Sequence, residues 1–115
     1  MEIKRMGGNG RRSTAVAYGN TLYVAGITAT DINADITGQL ADVFGQLDNI
    51  LARNSTDKNR VLMATVTLAS MDDYGAFNAA WDEWIIDANE PARSVSEGKL
   101  ALPEYKVKVS LIAAL

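Results

Sequence analysis

Apolar positions along the chain follow two periods, and each change of period marks a new element. Residues 2–6 alternate weakly and predict a short strand, and Gly7, Gly8, Asn9 and Gly10 follow as a loop. Ser13–Tyr18 and Thr21–Ile27 are β-rich runs separated by Gly19 and Asn20, the signal of a two-residue hairpin. In the second run Leu22, Val24 and Gly26 share one face, and Tyr23, Ala25 and Ile27 the other. After a polar connection, Leu40, Val43, Phe44, Leu47, Ile50 and Leu51 recur at spacings of three and four. They predict an amphipathic helix capped by Asp35 or Thr37 and ending near Arg53. Val61–Ala69 predicts a strand with Val61, Met63, Thr65, Thr67 and Ala69 on one face and Leu62, Val66 and Leu68 on the other. A second helix, capped by Ser70 or Asp72, carries Phe77, Trp81, Trp84, Ile85 and Ala88 and is ended by Pro91. At helical spacing on the buried face, its tryptophans read as core more readily than as a ligand platform. Ser94–Glu97 and Lys106–Ala114 close the chain as strands around a loop at 98–104.

This order predicts an α+β two-layer sandwich, with two helices covering one face of a mixed sheet of five or six strands. Apolar residues on the other face would be exposed in a lone copy, which predicts a homo-oligomer. The Pro91 turn leads into Arg93, whose planar donors can grip both oxygens of a carboxylate; the alternative is a solvated or salt-bridged surface arginine.

Composition narrows the chemistry. At 115 residues the expectation is one domain, 1–115, and 48% apolar with 22% charged residues is an ordinary globular balance. The chain has no histidine and no cysteine, which removes the Ser-His-Asp triad, a thiol nucleophile and the usual zinc sites. No cofactor or metal is expected. A net charge of −3 argues against sequence-independent nucleic-acid binding. No apolar run suits a secretory leader or a membrane span, so the expected location is the cytoplasm and no membrane partner is expected.

Several stretches in order carry a resemblance: Gly-Asn-Thr-Leu-Tyr-Val-Ala-Gly at 19–26, Gln46 to Ile50, Ala64 to Leu68, Phe77-Asn78-Ala79-Ala80-Trp81, Pro91-Ala92-Arg93 and the closing strand. Over nearly its whole length the chain resembles the Rid family of reactive-intermediate or imine deaminases, also called YjgF-like or RutC-like proteins. The resemblance implies a chorismate-mutase-like fold, a homotrimer, and clefts between adjacent subunits. It implies that Arg93 binds the carboxylate of a 2-imino acid, which water hydrolyses to a 2-keto acid and ammonia, as in a 2-iminobutanoate/2-iminopropanoate deaminase. Gly26 matches a glycine bordering the cleft, where it either lets the ligand approach or simply packs within a strand. Asn78 matches an asparagine near the cleft, or bonds across the interface.

Three positions depart from the family pattern. Val95 replaces a cysteine but keeps its backbone groups for the substrate. Arg12 stands where an aromatic residue lines the cleft, and Lys108 falls where a carboxylate orients the attacking water. Added cations would favour a more negatively charged ligand, while Glu97 or Glu104 could serve the water instead. The expected function is therefore imine hydrolysis, with a non-catalytic trimeric binder of small anionic carboxylate metabolites as the alternative.

Overall fold

The computed structural model describes residues 1–115. Its elements are β1 (Ile3–Met6), β2 (Ala15–Tyr18), β3 (Thr21–Ile27), α1 (Ile36–Arg53), β4 (Val61–Leu68), α2 (Tyr74–Trp84), β5 (Ala92–Glu97) and β6 (Val107–Ala114). Together they form an α+β fold of two helices on a six-stranded mixed sheet, in the order β1-β2-β3-β6-β4-β5. Only β4 and β5 pair in parallel; β6 runs antiparallel to both β3 and β4, so β3 and β4 point the same way. The chain thus contains two successive strand–helix–strand units. Its last strand is inserted into the gap left by the first.

Local chemistry explains the element ends. Gly19 takes a φ of 59° in the β2–β3 turn, a conformation glycine adopts without a Cβ clash. Asp35 caps α1 by accepting from the Gly38 N–H at 2.8 Å, and Asn54 ends it. Ser70 accepts from the Asp72 N–H at the start of the turn leading into α2. That helix stops at Trp84, before the predicted end at Pro91, because the chain becomes extended at Ile85 and Ala88 adopts a φ of 72°. The Glu90 carboxylate accepts from the Ala88 N–H at 3.2 Å and holds this turn. β5 then begins at Ala92, so Arg93 is its second residue.

The core lies between the helices and the sheet. Leu22, Val24, Val66, Leu68, Val109 and Leu111 meet Leu40, Leu47 and Phe77 there, all essentially solvent-free. Phe44 of α1 stacks on Trp84 of α2 with centroids 4.7 Å apart, and Trp81 and Phe77 extend the aromatic seam. The Trp84 indole N–H donates to Asp48 at 2.9 Å, so the seam is fixed in register as well as packed.

Two β-bulges correct the predicted strand faces. A register shift between Val24 and Ile27 turns Ile27 into the core and leaves Gly26 exposed, so Ile27 does not share the open face with Tyr23. A second shift between Val61 and Met63 buries Val61 and exposes Leu62, reversing the faces expected from alternation. Across the uncovered face the pairings set Arg5, Val16, Tyr23, Ile112, Met63 and Ala92 in one row, apolar except for Arg5 at its β1 end. Two rows further along β6, Lys108, Thr67 and Ser96 are polar. The open face is therefore apolar from β2 to β5 along one row and polar, with Lys108, along the other.

Candidate functional site

Strand pairing decides which way Arg93 points. Arg93 sits opposite Ala64, and Val95 opposite Val66, both core-facing positions, so Arg93 and Val95 lie on the helix side of the edge strand β5. The Arg93 guanidinium carbon is 5.3 Å from the Phe77 ring centre and 5.2 Å from that of Trp81. Its Nη2 donates to the Tyr74 hydroxyl at 3.3 Å, its one side-chain hydrogen bond. The cation is thus half-buried against the aromatic stripe of α2 while its remaining in-plane donors stay free.

Tyr74, Phe77 and Trp81 occupy positions i, i+3 and i+7 of one helix, and this spacing places all three beside Arg93. Asn78 follows Tyr74 by one turn and is half-buried. Val95 packs on the core opposite Val66 of β4, on the edge strand of the sheet. Glu97 lies on the same side as Arg93, but four residues away, about 13 Å along an extended strand. There it accepts from the Met71 N–H at 2.9 Å and ties the end of β5 to the approach of α2.

Gly26 and Lys108 form a separate pair on the open face. A Cβ built on Gly26 would lie 2.7 Å from Lys108 Cδ, so the glycine makes room for the aliphatic stem of the lysine. Lys108 is exposed and faces away from Arg93 across the sheet. Arg12 stands apart from both. It donates to Thr14 Oγ1 at 3.0 Å and borders a recess of about 280 Å³ with Gln46, Asn49 and Arg53. From β2, beside Arg12, to β5 is four strand spacings, or about 19 Å. Within one chain, therefore, Arg93, Val95 and Asn78 share a neighbourhood, Gly26 and Lys108 share another, and Arg12 belongs to neither.

The residues around these groups add features that sequence reasoning missed. Tyr74 was legible only as a residue one helical turn before Phe77. Gln39 carries no periodic signal, yet it is fully buried and satisfied: its amide donates to the carbonyls of Ala34 and Glu104, and its oxygen accepts from the Lys106 N–H. It pins the loop carrying Glu104 to α1. Asp42 anchors the loop after β3 in a similar way. Burial pushes its carboxyl up, but bonds from the Thr30 hydroxyl, Gln46 and the N–H groups of Asp31 and Thr30 outweigh it and hold the pKa below the ordinary 3.8. Another recess, of about 410 Å³, lies at the 98–105 loop against Leu100, Leu102 and Pro103 and includes none of the six candidates. No group of histidine, cysteine or acidic residues is arranged to hold a metal.

The same fold recurs in known proteins. A family model described as endoribonuclease L-PSP matches residues 2–115. A RutC family protein from Haemophilus ducreyi is 42% identical over 113 residues, covering 98% of this chain and 97% of the relative. The RutC family protein YoaB of Escherichia coli is 35% identical over the whole of both chains. Among solved structures, NMB1025 of Neisseria meningitidis, a member of the YjgF protein family, superposes with a TM-score of 0.93 at 35% identity, covering 99% of this chain and 95% of that one. With the sheet order, the two helices and the full-length match in agreement, the chain belongs to the endoribonuclease L-PSP family, the YjgF/Rid/RutC proteins.

Proposed function

We propose that the protein hydrolyses 2-imino acids to 2-keto acids and ammonia, in a cleft completed by an adjacent copy of the chain. The observation that carries this reading is Arg93: a guanidinium on a rigid edge strand, held by two aromatic rings and one hydroxyl, with donors left over. Such a fork matches the two oxygens of a carboxylate. An iminium carbon is already electrophilic. Water adds to it, the carbon–nitrogen bond breaks, and the nitrogen leaves as ammonium, so the iminium and one water give a ketone and NH4⁺ with no external acid required. Orientation of the carboxylate and polar backbone groups then supply much of the acceleration, which suits a chain without histidine or cysteine. In this reading Val95 contributes backbone groups, and Arg12, Gly26, Asn78 and Lys108 reach the ligand from the two subunits that flank the cleft.

Lys108 favours a second reading, a trimeric protein that binds small anionic metabolites without turning them over. It stands where the family resemblance places the water-orienting carboxylate, and no acidic side chain hydrogen-bonds to Arg93. One experiment separates the two readings. Imines are generated in place by an amino-acid oxidase, and keto-acid formation is followed with wild type and Arg93→Ala. Faster imine loss with wild type alone supports hydrolysis. Equal rates with both proteins, together with Arg93-dependent carboxylate binding, support the binder.

A further inference from the structure

We propose that Tyr74 is a second ligand-binding residue, whose hydroxyl donates to the carboxylate held by Arg93. The inference rests on the reading of Arg93 as carboxylate anchor and extends it. The Tyr74 oxygen accepts from Arg93 Nη2, and it makes no other hydrogen bond. A phenol that accepts through its oxygen still has its own proton to give. Tyr74 is 38% exposed, so a ligand can reach the residue beside the guanidinium, and no other group of the chain takes up its proton.

Three constraints aim the hydroxyl. It projects from the first residue of α2, and its ring shares a helical stripe with Phe77 and Trp81. Those two rings pack against the guanidinium and leave only its in-plane donors for a ligand. The 3.3 Å contact then sets the hydroxyl next to that plane. A carboxylate placed on the fork can take one oxygen to Arg93 and share the other between Arg93 and Tyr74. Phenylalanine at this position would fill the same space without the donor, so the hydroxyl itself is the feature that calls for a role.

The test is a double-mutant cycle read by NMR titration with 2-oxobutanoate, a small keto acid, on wild type, Tyr74→Phe, Arg93→Lys and the double variant. Arg93→Lys keeps the charge, so binding stays measurable, but it removes the fork. A hydrogen bond to a charged group at a partly exposed site predicts about tenfold weaker binding for Tyr74→Phe. The same loss is expected in the Arg93→Lys background, with the thermal midpoint unchanged. In the imine assay Tyr74→Phe should raise KM by a similar factor and leave kcat nearly unchanged. A loss confined to the wild-type background would mean that Tyr74 only steadies the arginine and would overturn the proposal, as would no loss in either background. If wild type neither binds the keto acid nor speeds imine loss, the anchor reading of Arg93 fails and this inference falls with it; if wild type binds and Tyr74→Phe binds equally, only the inference fails.

Discussion

Gln39 shows how much a single buried polar group can organise. Its amide makes three hydrogen bonds that join the start of α1 to the loop entering β6. Replacing it with leucine fills the volume but leaves the Glu104 carbonyl and the Lys106 N–H without their partner. The expected cost is about 2–3 kcal/mol of unfolding free energy by urea denaturation; an unchanged midpoint would show that the loop is held by other means. Asp42 makes a pH-dependent prediction. Its folded-state pKa is depressed, so its contribution is fully present above the unfolded value near 3.8 and is lost as pH falls through the folded value. Asp42→Asn should therefore be less stable than wild type at pH 7, with the two converging below pH 3.8. A gap that persists at low pH would assign the effect to shape rather than charge. Neither residue was singled out by the pattern of the sequence, because their partners are backbone groups brought close only by the fold.

Among the elements, those with a strong period were legible and those with a broken one were not. α1 runs from Ile36 to Arg53 as its three-and-four spacing predicts, and the tryptophans of α2 are core, as their position on the apolar stripe predicts. Alternation failed at Leu62 and Ile27 because one extra residue in a strand flips everything beyond it, and sequence carries little sign of that extra residue. The end of α2 was missed for a related reason. Pro91 forbids helix but does not require it to continue that far, and the turn stabilised by Glu90 begins earlier. Arg93 itself was legible as a candidate, whereas its aromatic setting required knowing that β5 lies parallel to β4 beneath α2. The bulge at Val61–Met63 is open to a direct check. Leu62→Ser should change stability by less than about 0.5 kcal/mol, while Val61→Ala should cost at least about 1 kcal/mol in the same chemical unfolding experiment. Strict alternation from Val66 would predict the reverse order.

At the scale of the molecule, the question is how candidates on opposite sides of one sheet could serve one ligand. Arg12 lies just before β2, and β2 is four strand spacings, about 19 Å, from the β5 strand that carries Arg93, well beyond the length of a small imino acid. Lys108 and Arg93 face opposite sides of the sheet. A single copy therefore cannot form the proposed cleft from these residues, and a neighbouring copy must bring its own set to the edge carrying Arg93. The open face provides the means, since Tyr18 and Tyr23 are each nearly half exposed and Tyr23 lies in the apolar row that crosses the sheet. Burying that row between copies would remove apolar surface from water, at about 25 cal/mol per Å². A charge introduced there should undo the assembly. Tyr23→Asp is expected to lower the mass measured by light scattering from that of the proposed trimer towards one copy and to abolish the proposed imine hydrolysis, although Arg93 and Tyr74 lie on the other side of the sheet. A variant that became monomeric yet kept wild-type activity would show that one chain carries a complete site, and the contribution of Arg12 and Lys108 from neighbouring copies would have to be abandoned.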